Sequence, residues 1–172
     1  MATPTSSPAA ARAAATDSEP VWVVPLHDHH PYYDRVCLRR VFAHEQDRRH
    51  RVVVVDAVKL LACAERDETD YVLPPVGQWH GGKARGIREF LDPDNPRMPT
   101  MPYVTIVRRR ARGLLGMLGL EHVGVVSFRN GQHRARYLAH AGARSFPVEV
   151  HEREASLLMA LCGASESVAV PQ

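Results

Sequence analysis

A histidine and an arginine follow a turn dipeptide late in the chain, where a predicted strand gives way to a predicted helix. Asn130 and Gly131 form a typical turn pair, and Gln132, His133 and Arg134 open the helix. The first turn of a helix leaves backbone N–H groups unpaired and carries the positive end of the helix dipole. Glycine lets the backbone approach an anion closely, and the two basic side chains add donors. The pattern indicates a phosphate-binding turn, and an ordinary exposed turn is the alternative.

A second cation, Lys83, opens another predicted helix over residues 82–91, which ends at the proline-rich segment 92–102. In that segment Asp92 and Asp94 offer the hard oxygen ligands that Mg²⁺ prefers. A Mg²⁺ ion beside a phosphate would neutralise charge and orient water for hydrolysis. Asp, Asn and Pro are also favoured in a turn that ends a helix, and that interpretation stays open.

Positive charge is concentrated in the later half of the chain. The 172 residues include 22 basic and 19 acidic side chains, and 20 of the basic residues are arginine. Residues 101–148 alone hold eight arginines and one acid, a net charge of +7. This distribution favours an anionic partner, although a solvated charged face has the same composition. The candidate nucleic-acid contacts are Arg108, Arg109, Arg110, Arg112 and Arg136.

The length and the alternation of strand and helix patterns predict one α+β domain with a small mixed sheet flanked by helices. Residues 1–20 are predicted to be a disordered tail, residues 21–162 the domain, and residues 163–172 a C-terminal tail. Strands are predicted over 21–26, 35–42, 51–55, 101–107, 123–128 and 146–150. Helices are predicted over 56–67, 82–91, 110–122, 133–142 and 152–162. Asp56 is expected to cap the first helix, whose apolar face would hold Val58, Leu61 and Ala62.

The composition argues against several classes of protein. No apolar run approaches the ~18–20 residues of a membrane-spanning helix, so we expect a cytoplasmic protein without membrane insertion. The three cysteines, Cys37, Cys63 and Cys162, form no CxxC pattern, which argues against a disulfide scaffold or a structural zinc site. A redox function would require one of these thiols to lie beside the 131–134 turn in space.

The segment 125–150, VVSFRNGQHRARYLAHAGARSFPVEV, resembles the signature of the ParB/sulfiredoxin superfamily. In that superfamily a strand ends in a Gly-containing turn, a basic pair opens a helix, and a strand of the Pro-Val type returns. Sulfiredoxins have a cysteine where this chain has Gln132, so the redox nucleophile is missing while nucleotide binding stays open. The resemblance implies that Lys83 and the turn 130–134 bind the phosphates of ATP. CTP is the alternative, because ParB proteins bind CTP at the same turn.

Three stretches, 71–80, 86–102 and 130–158, resemble the plasmid fertility inhibition factors of this superfamily, the Osa/FiwA-like branch. This resemblance implies a protein of one conjugative element that blocks transfer of another element's DNA. It also implies ATP hydrolysis and Mg²⁺-dependent DNase activity, with His133 and Arg134 as catalytic residues. The implied partners are the transferred DNA or its relaxase complex, and a conjugative coupling or type IV secretion protein. The alternative is a non-catalytic module that blocks a transfer or secretion protein by occupancy.

Overall fold

The computed structural model describes residues 20–26, 30–42, 49–69, 71, 73–165 and 170–171; most of the predicted N-terminal tail lies outside these ranges. The strands are β1 (Trp22–Pro25), β2 (Arg35–Leu38), β3 (His50–Asp56), β4 (Tyr103–Arg110), β5 (His122–Asn130), β6 (Ser145–His151) and β7 (Val170–Pro171). The helices are α1 (Ala57–Ala64), α2 (Gly81–Leu91), α3 (Leu114–Met117), α4 (Gln132–His140) and α5 (Glu152–Cys162). A short 3-10 helix, Val76–Gln78, precedes α2. The predicted α+β class is confirmed.

Two sheets form the framework. The larger sheet has the strand order β3-β6-β4-β5, and the smaller has the order β2-β1-β7. Strand β6 pairs antiparallel with β3 and parallel with β4, so the larger sheet is mixed, as the sequence predicts. Six of the seven residues of β6 are buried, which is typical of a central strand covered on both faces. Helix α5 packs on β3, β4 and β6, α1 packs on β5, and α2 packs on α4.

Helix α1 begins where the sequence predicts but turns a different face to the core. The carboxylate of Asp56 accepts a hydrogen bond from the Lys59 backbone N–H at 2.9 Å, the expected N-cap. The prediction that Val58, Leu61 and Ala62 form the buried face is wrong, because Val58 is 78% exposed. The predicted and the observed buried residues both have helical spacing, so the spacing alone does not determine which face lies against the sheet. The buried residues are Ala57, Leu60, Cys63 and Ala64.

The helix predicted over 110–122 is also wrong, since β4 and β5 run into this segment from both sides and only α3 is helical. Gly113 and Gly119 have φ angles of +112° and +71°, in the left-handed region that interrupts a right-handed helix. Gly116 rests directly on the carbonyl oxygen of Ala111, where there is no room for a Cβ. The segment therefore forms the tip of a β4–β5 hairpin.

Part of the predicted C-terminal tail pairs with the body of the fold. Gly163 forms a bridge to Val55, and the Ala164 backbone N–H donates to the carbonyl of Val54 at 3.1 Å. Strand β7 pairs antiparallel with β1 and completes the smaller sheet. Residues 166–169 and 172 lie outside the described residues.

A buried carboxylate joins the two sheets. The side chain of Glu149, on the central strand β6, is fully buried. It accepts hydrogen bonds from Arg40 Nε at 2.8 Å and from the backbone N–H groups of Val41 and Phe42. An ion pair and several donors compensate the cost of removing this carboxylate from water. The segment that leaves β2 is thereby fixed to the middle of the larger sheet.

We expect Glu149→Ala to lower the free energy of unfolding by about 3–5 kcal/mol, because it leaves a guanidinium without its buried partner. The matched control is Glu152→Ala, whose exposed carboxylate lies 3.8 Å from Arg51, and it should cost less than about 1 kcal/mol. Urea unfolding followed by circular dichroism gives both values. Equal losses in the two variants would contradict the buried ion pair.

Candidate anion-binding site at the start of α4

The turn before α4 requires a glycine. Strand β5 ends at Asn130, and Gly131 is the N-cap of α4 with a φ angle of +80°. A side chain at this φ is strained, and its Cβ would lie 2.8 Å from Arg134 Nη2 and 2.9 Å from Pro102 Cα. The predicted turn is therefore present, and its backbone lies in close contact with both neighbours.

The buried side chain of Arg134 stabilises this turn through two hydrogen bonds. It is 8% exposed, and its guanidinium donates to Thr100 Oγ1 at 2.7 Å and to Asn130 Oδ1 at 2.8 Å. Both acceptors are neutral, and burial lowers the pKa of Arg134 from its ordinary value. Among the described residues no carboxylate forms an ion pair with it. Its charge therefore adds to the positive potential of the turn, while its contacts position the backbone.

The structure brings Lys83 and His133 together around one aromatic ring. The His133 ring lies 5.4 Å from the Trp79 ring, and Lys83 Nζ lies 5.3 Å from the centre of the same ring. Burial, followed by the charges of Lys83 and Arg136, lowers the pKa of His133 from its ordinary value. The sequence predicts both basic residues, fifty positions apart, for one phosphate site. Their joint contact with Trp79 is what the fold adds.

The first turn of α4 keeps its backbone donors available. No side chain caps this end of the helix, and the first intrahelical bond comes from Ala135, which donates to Gly131 at 2.9 Å. The side chain of Gln132 is directed elsewhere, since its Nε2 donates to the carbonyl of Tyr71 at 3.0 Å. The amide groups of residues 132–134 and the helix dipole thus form a positive end that attracts an anion.

Arg136 is a further cation of the site, and the sequence analysis placed it elsewhere. It is 8% exposed, and its Nε and Nη2 atoms have no hydrogen-bond partner. The ion pair recorded for it is a long one, 3.9 Å from Nη1 to Glu65 Oε1. Buried donors without acceptors are uncommon, and a water molecule or an anion would satisfy them. Residues three positions apart on a helix are neighbours, so the spacing between His133 and Arg136 was the sequence signal that could have placed Arg136 near the turn.

Two cavities lie along α4. A cavity of about 310 Å³ adjoins the turn and is lined by Ile87, Phe90, Asn130, Gly131, His133 and Arg134. A larger cavity of about 580 Å³ lies between α2 and the far end of α4, with the rings of Tyr32, Trp79 and Tyr137 in its wall. Trp79 therefore contacts His133 and lines the larger cavity. Both volumes lie in the range of small-molecule sites, and the larger cavity offers aromatic rings beside the basic turn.

The Asp92–Asp94 loop acts as a turn at the end of α2. One oxygen of Asp92 accepts from the Asp94 backbone N–H at 2.9 Å, and the Asn95 side chain donates to the carbonyl of Glu89 at 3.0 Å. The described part of the chain contains no group of three or more His, Cys, Asp or Glu side chains that could hold a metal ion. The turn interpretation is thereby confirmed, and binding of Mg²⁺ by Asp92 and Asp94 stays a prediction.

The other predicted nucleic-acid contacts lie on the β4–β5 hairpin, apart from the turn. Arg108, Arg109 and Arg110 are exposed, and Arg112 forms an ion pair with Glu68. Arg136, a buried residue of α4, does not share that exposed surface. DNA contact by the hairpin arginines stays a prediction.

The thiols lie on other elements than the turn. Cys37 is on β2, while Cys63 of α1 and Cys162 of α5 share a hydrogen bond. That bond lowers the pKa of Cys63 and raises the pKa of Cys162. The redox interpretation, which needs a thiol at the 131–134 turn, gains no support from this placement.

We expect Gly131→Ala to destabilise the fold by about 1–3 kcal/mol, because a side chain is strained at this φ and would contact Pro102 and Arg134. The matched control is Gly86→Ala within α2, where nothing lies within 4 Å of the new methyl group. That change should stabilise the protein by about 0.5–1 kcal/mol through helix propensity. Thermal unfolding measures both effects, and a neutral Gly131→Ala would contradict the turn geometry.

The pKa of His133, followed by NMR of its ring protons, should lie below the ordinary histidine value. Lys83→Met removes a positive charge beside the imidazole, so the pKa should rise. Arg85→Met, which removes an exposed cation from the same helix, should leave it unchanged. If the pKa of His133 is the same in the wild type and in Lys83→Met, the two side chains are not close neighbours.

Comparison with known proteins identifies the family. The family model of the plasmid fertility inhibition factor matches residues 52–163, from β3 to the end of α5. A crystal structure of the Oncogenic Suppression Activity protein, a plasmid fertility inhibition factor, solved as a gold(I) cyanide derivative, is similar to this chain with a TM-score of 0.59. The two chains are 16% identical, and the alignment covers 84% of this chain and 70% of that one, a likeness that shows the fold. No curated protein sequence matches. Because the family model spans most of the chain, as the sequence resemblance predicts, this protein belongs to the plasmid fertility inhibition factor family.

Proposed function

We propose that this fertility inhibition factor blocks conjugative DNA transfer through a nucleoside triphosphate site at the start of α4. The observation that carries the proposal is the gathering of cationic donors at one uncapped helix end. Lys83 and His133 meet at Trp79, and Arg136 keeps two buried donors without acceptors. A chain of phosphates supplies the many acceptors that such a group of donors lacks.

Each residue has a separate task in this proposal. The backbone N–H groups of residues 132–134 bind phosphate oxygens, and Gly131 lets those oxygens approach. Lys83 neutralises charge as a compact cation, and His133 adds a donor. Arg134 is a positioning residue, because its guanidinium is engaged with Thr100 and Asn130 beneath the turn. This differs from the catalytic role that the sequence resemblance implies for Arg134.

ATP is the first candidate ligand and CTP the alternative. Hydrolysis of ATP and Mg²⁺-dependent cleavage of DNA stay predictions from the family resemblance, and no step is assigned to a metal ion. The target, whether the transferred strand, its relaxase complex or a coupling or secretion protein, is likewise a prediction.

A second candidate function is a non-catalytic module that blocks the transfer machinery by binding it. Blocking by occupancy requires no metal site, and the described residues include no group of three or more His, Cys, Asp or Glu side chains that could hold a metal ion. In this case the bound nucleotide controls the shape of the binding surface, and its hydrolysis is not needed for inhibition. A variant that binds the nucleotide without hydrolysing it would then still inhibit conjugation in a mating assay.

Titration calorimetry with ATP, CTP and inorganic tripolyphosphate tests the site. We expect the double variant Lys83→Met/His133→Ala to lose at least about tenfold in affinity for all phosphate ligands that the wild type binds, since two donors are removed. The control Arg85→Met/His122→Ala removes the same kinds of charge from exposed positions and should bind normally.

Two results would count against the nucleotide site. The first is a wild-type protein that binds none of the three ligands. The second is an equal loss in the control variant, which would reduce the effect to net charge. Loss of mating inhibition in Lys83→Met/His133→Ala, with retention in the control, would connect the site to the family's function.

A further inference from the structure

Five large apolar side chains stand exposed at the end of the β4–β5 hairpin. Their exposed fractions are 73% for Leu114, 55% for Leu115, 78% for Met117, 63% for Leu118 and 73% for Leu120. We call these five residues the apolar tip. Single exposed apolar side chains are normal on a protein surface, but a contiguous group marks an interaction site.

The apolar tip has a fixed shape and projects from the fold. Strand β6 pairs with β4 only at Tyr103 and Val104, and beyond these residues β4 and β5 continue as a two-stranded ribbon. The ribbon closes with a hydrogen bond of 3.0 Å from the Ala111 backbone N–H to the carbonyl of Glu121. Gly116 packs directly on the backbone of Ala111, and this contact holds α3 against the ribbon. The exposed side chains therefore lie on a hairpin end whose backbone is held by these contacts.

No polar side chain interrupts the apolar tip. The other residues between positions 113 and 120 are all glycines, and Gly116 faces the ribbon. At the angular spacing of a helix, the four apolar residues of α3 and its C-cap Leu118 cover an arc of about 160°. Residues 113–120 therefore present no polar side chain to solvent.

Four arginines lie at the base of the apolar tip, together with Glu68 and Glu121. Arg108, Arg109 and Arg110 end β4, Arg112 follows, and Arg110 Nε lies 4.0 Å from the Cβ position of Gly119. We call these four residues the arginine collar. Arg112 shares its charge with Glu68, and the other three have no carboxylate within ion-pair distance among the described residues.

We propose that the hairpin docks on an anionic lipid bilayer, with the apolar tip in the boundary between headgroups and acyl chains and the arginine collar on lipid phosphates. Apolar burial and attraction to anionic lipid together give peripheral binding. Arginines suit the collar, because their stems lie along apolar surface while their guanidinium groups reach the phosphates. The contact is made by one hairpin, and no helix among the described residues is long and apolar enough to cross a membrane.

Three other occupants fit the surface less well. Nucleic acid, which the sequence predicts for these arginines, explains the arginine collar but not the leucines. A second copy of the chain would bring two arginine collars together, and like charges repel. A protein partner would favour aromatic anchors in the apolar centre, and the apolar tip contains no aromatic residue.

Co-sedimentation of the full chain with vesicles tests the proposal. We expect binding to vesicles that contain phosphatidylglycerol and little binding to vesicles of phosphatidylcholine alone, with binding that weakens as salt increases. Leu114→Ser/Met117→Ser should reduce partitioning at least about tenfold, because two inserted side chains are lost. Its control, Val58→Ser/Met159→Ser, removes two exposed apolar side chains from α1 and α5 and should bind like the wild type.

The charge variants complete the design. Arg108→Gln/Arg110→Gln should abolish the preference for anionic vesicles, and Arg85→Gln/Arg97→Gln, exposed elsewhere, should preserve it. Lys83→Met/His133→Ala should bind vesicles normally, which separates this surface from the nucleotide site.

Three outcomes would overturn the proposal. One is a wild type that stays in the supernatant with anionic vesicles. Another is a loss of binding in the arginine variant while Leu114→Ser/Met117→Ser binds fully, since charge alone, as for nucleic acid, would then suffice. The third is self-association that the apolar-tip variant removes in the absence of lipid, which would make the occupant a second copy.

Discussion

One buried guanidinium sets the geometry around which the candidate site is built. Arg134 bonds to Thr100 before β4 and to Asn130 at the end of β5, while its own helix starts from the glycine above it. The turn, two strand ends and α4 are thereby held in one arrangement. Because the acceptors are neutral, the charge is not cancelled, and it reinforces the helix dipole. A carboxylate in either position would hold the turn equally well and would weaken its attraction for anions.

The other buried charged side chains differ in how completely they are hydrogen-bonded. Glu149 is buried in the larger sheet and is fully matched by Arg40 and two backbone donors, so it serves the joint between the sheets. Arg136 is as buried as Arg134 but keeps donors without acceptors. This contrast between complete and incomplete pairing distinguishes a side chain that holds the fold together from one that we propose to bind a ligand.

Much of the fold and the key turn could be predicted from sequence, for identifiable reasons. The β3 valines, the Asp56 cap and the Asn130-Gly131 turn are local signals, and the structure shows all three. The helix prediction for residues 110–122 was wrong because the leucines there have helical spacing, whereas the φ angles of the glycines interrupt the helix. The contact of Trp79 with both Lys83 and His133, and the burial of Arg136, depend on how α2 and α4 pack. No local pattern contains that packing.

The position of β6 has a consequence for how the chain is made. Its register joins His50 to His151 and Asp56 to Ser145, so paired residues are 89 to 101 positions apart. Synthesis proceeds from the N-terminus, and the β4–β5 hairpin, a local structure, forms as soon as it emerges. The four valines of β3 find their partner strand only after residues 145–151 have left the ribosome. During that interval β3, whose only partner in the larger sheet is β6, has an unpaired edge and exposed apolar side chains, which favour aggregation.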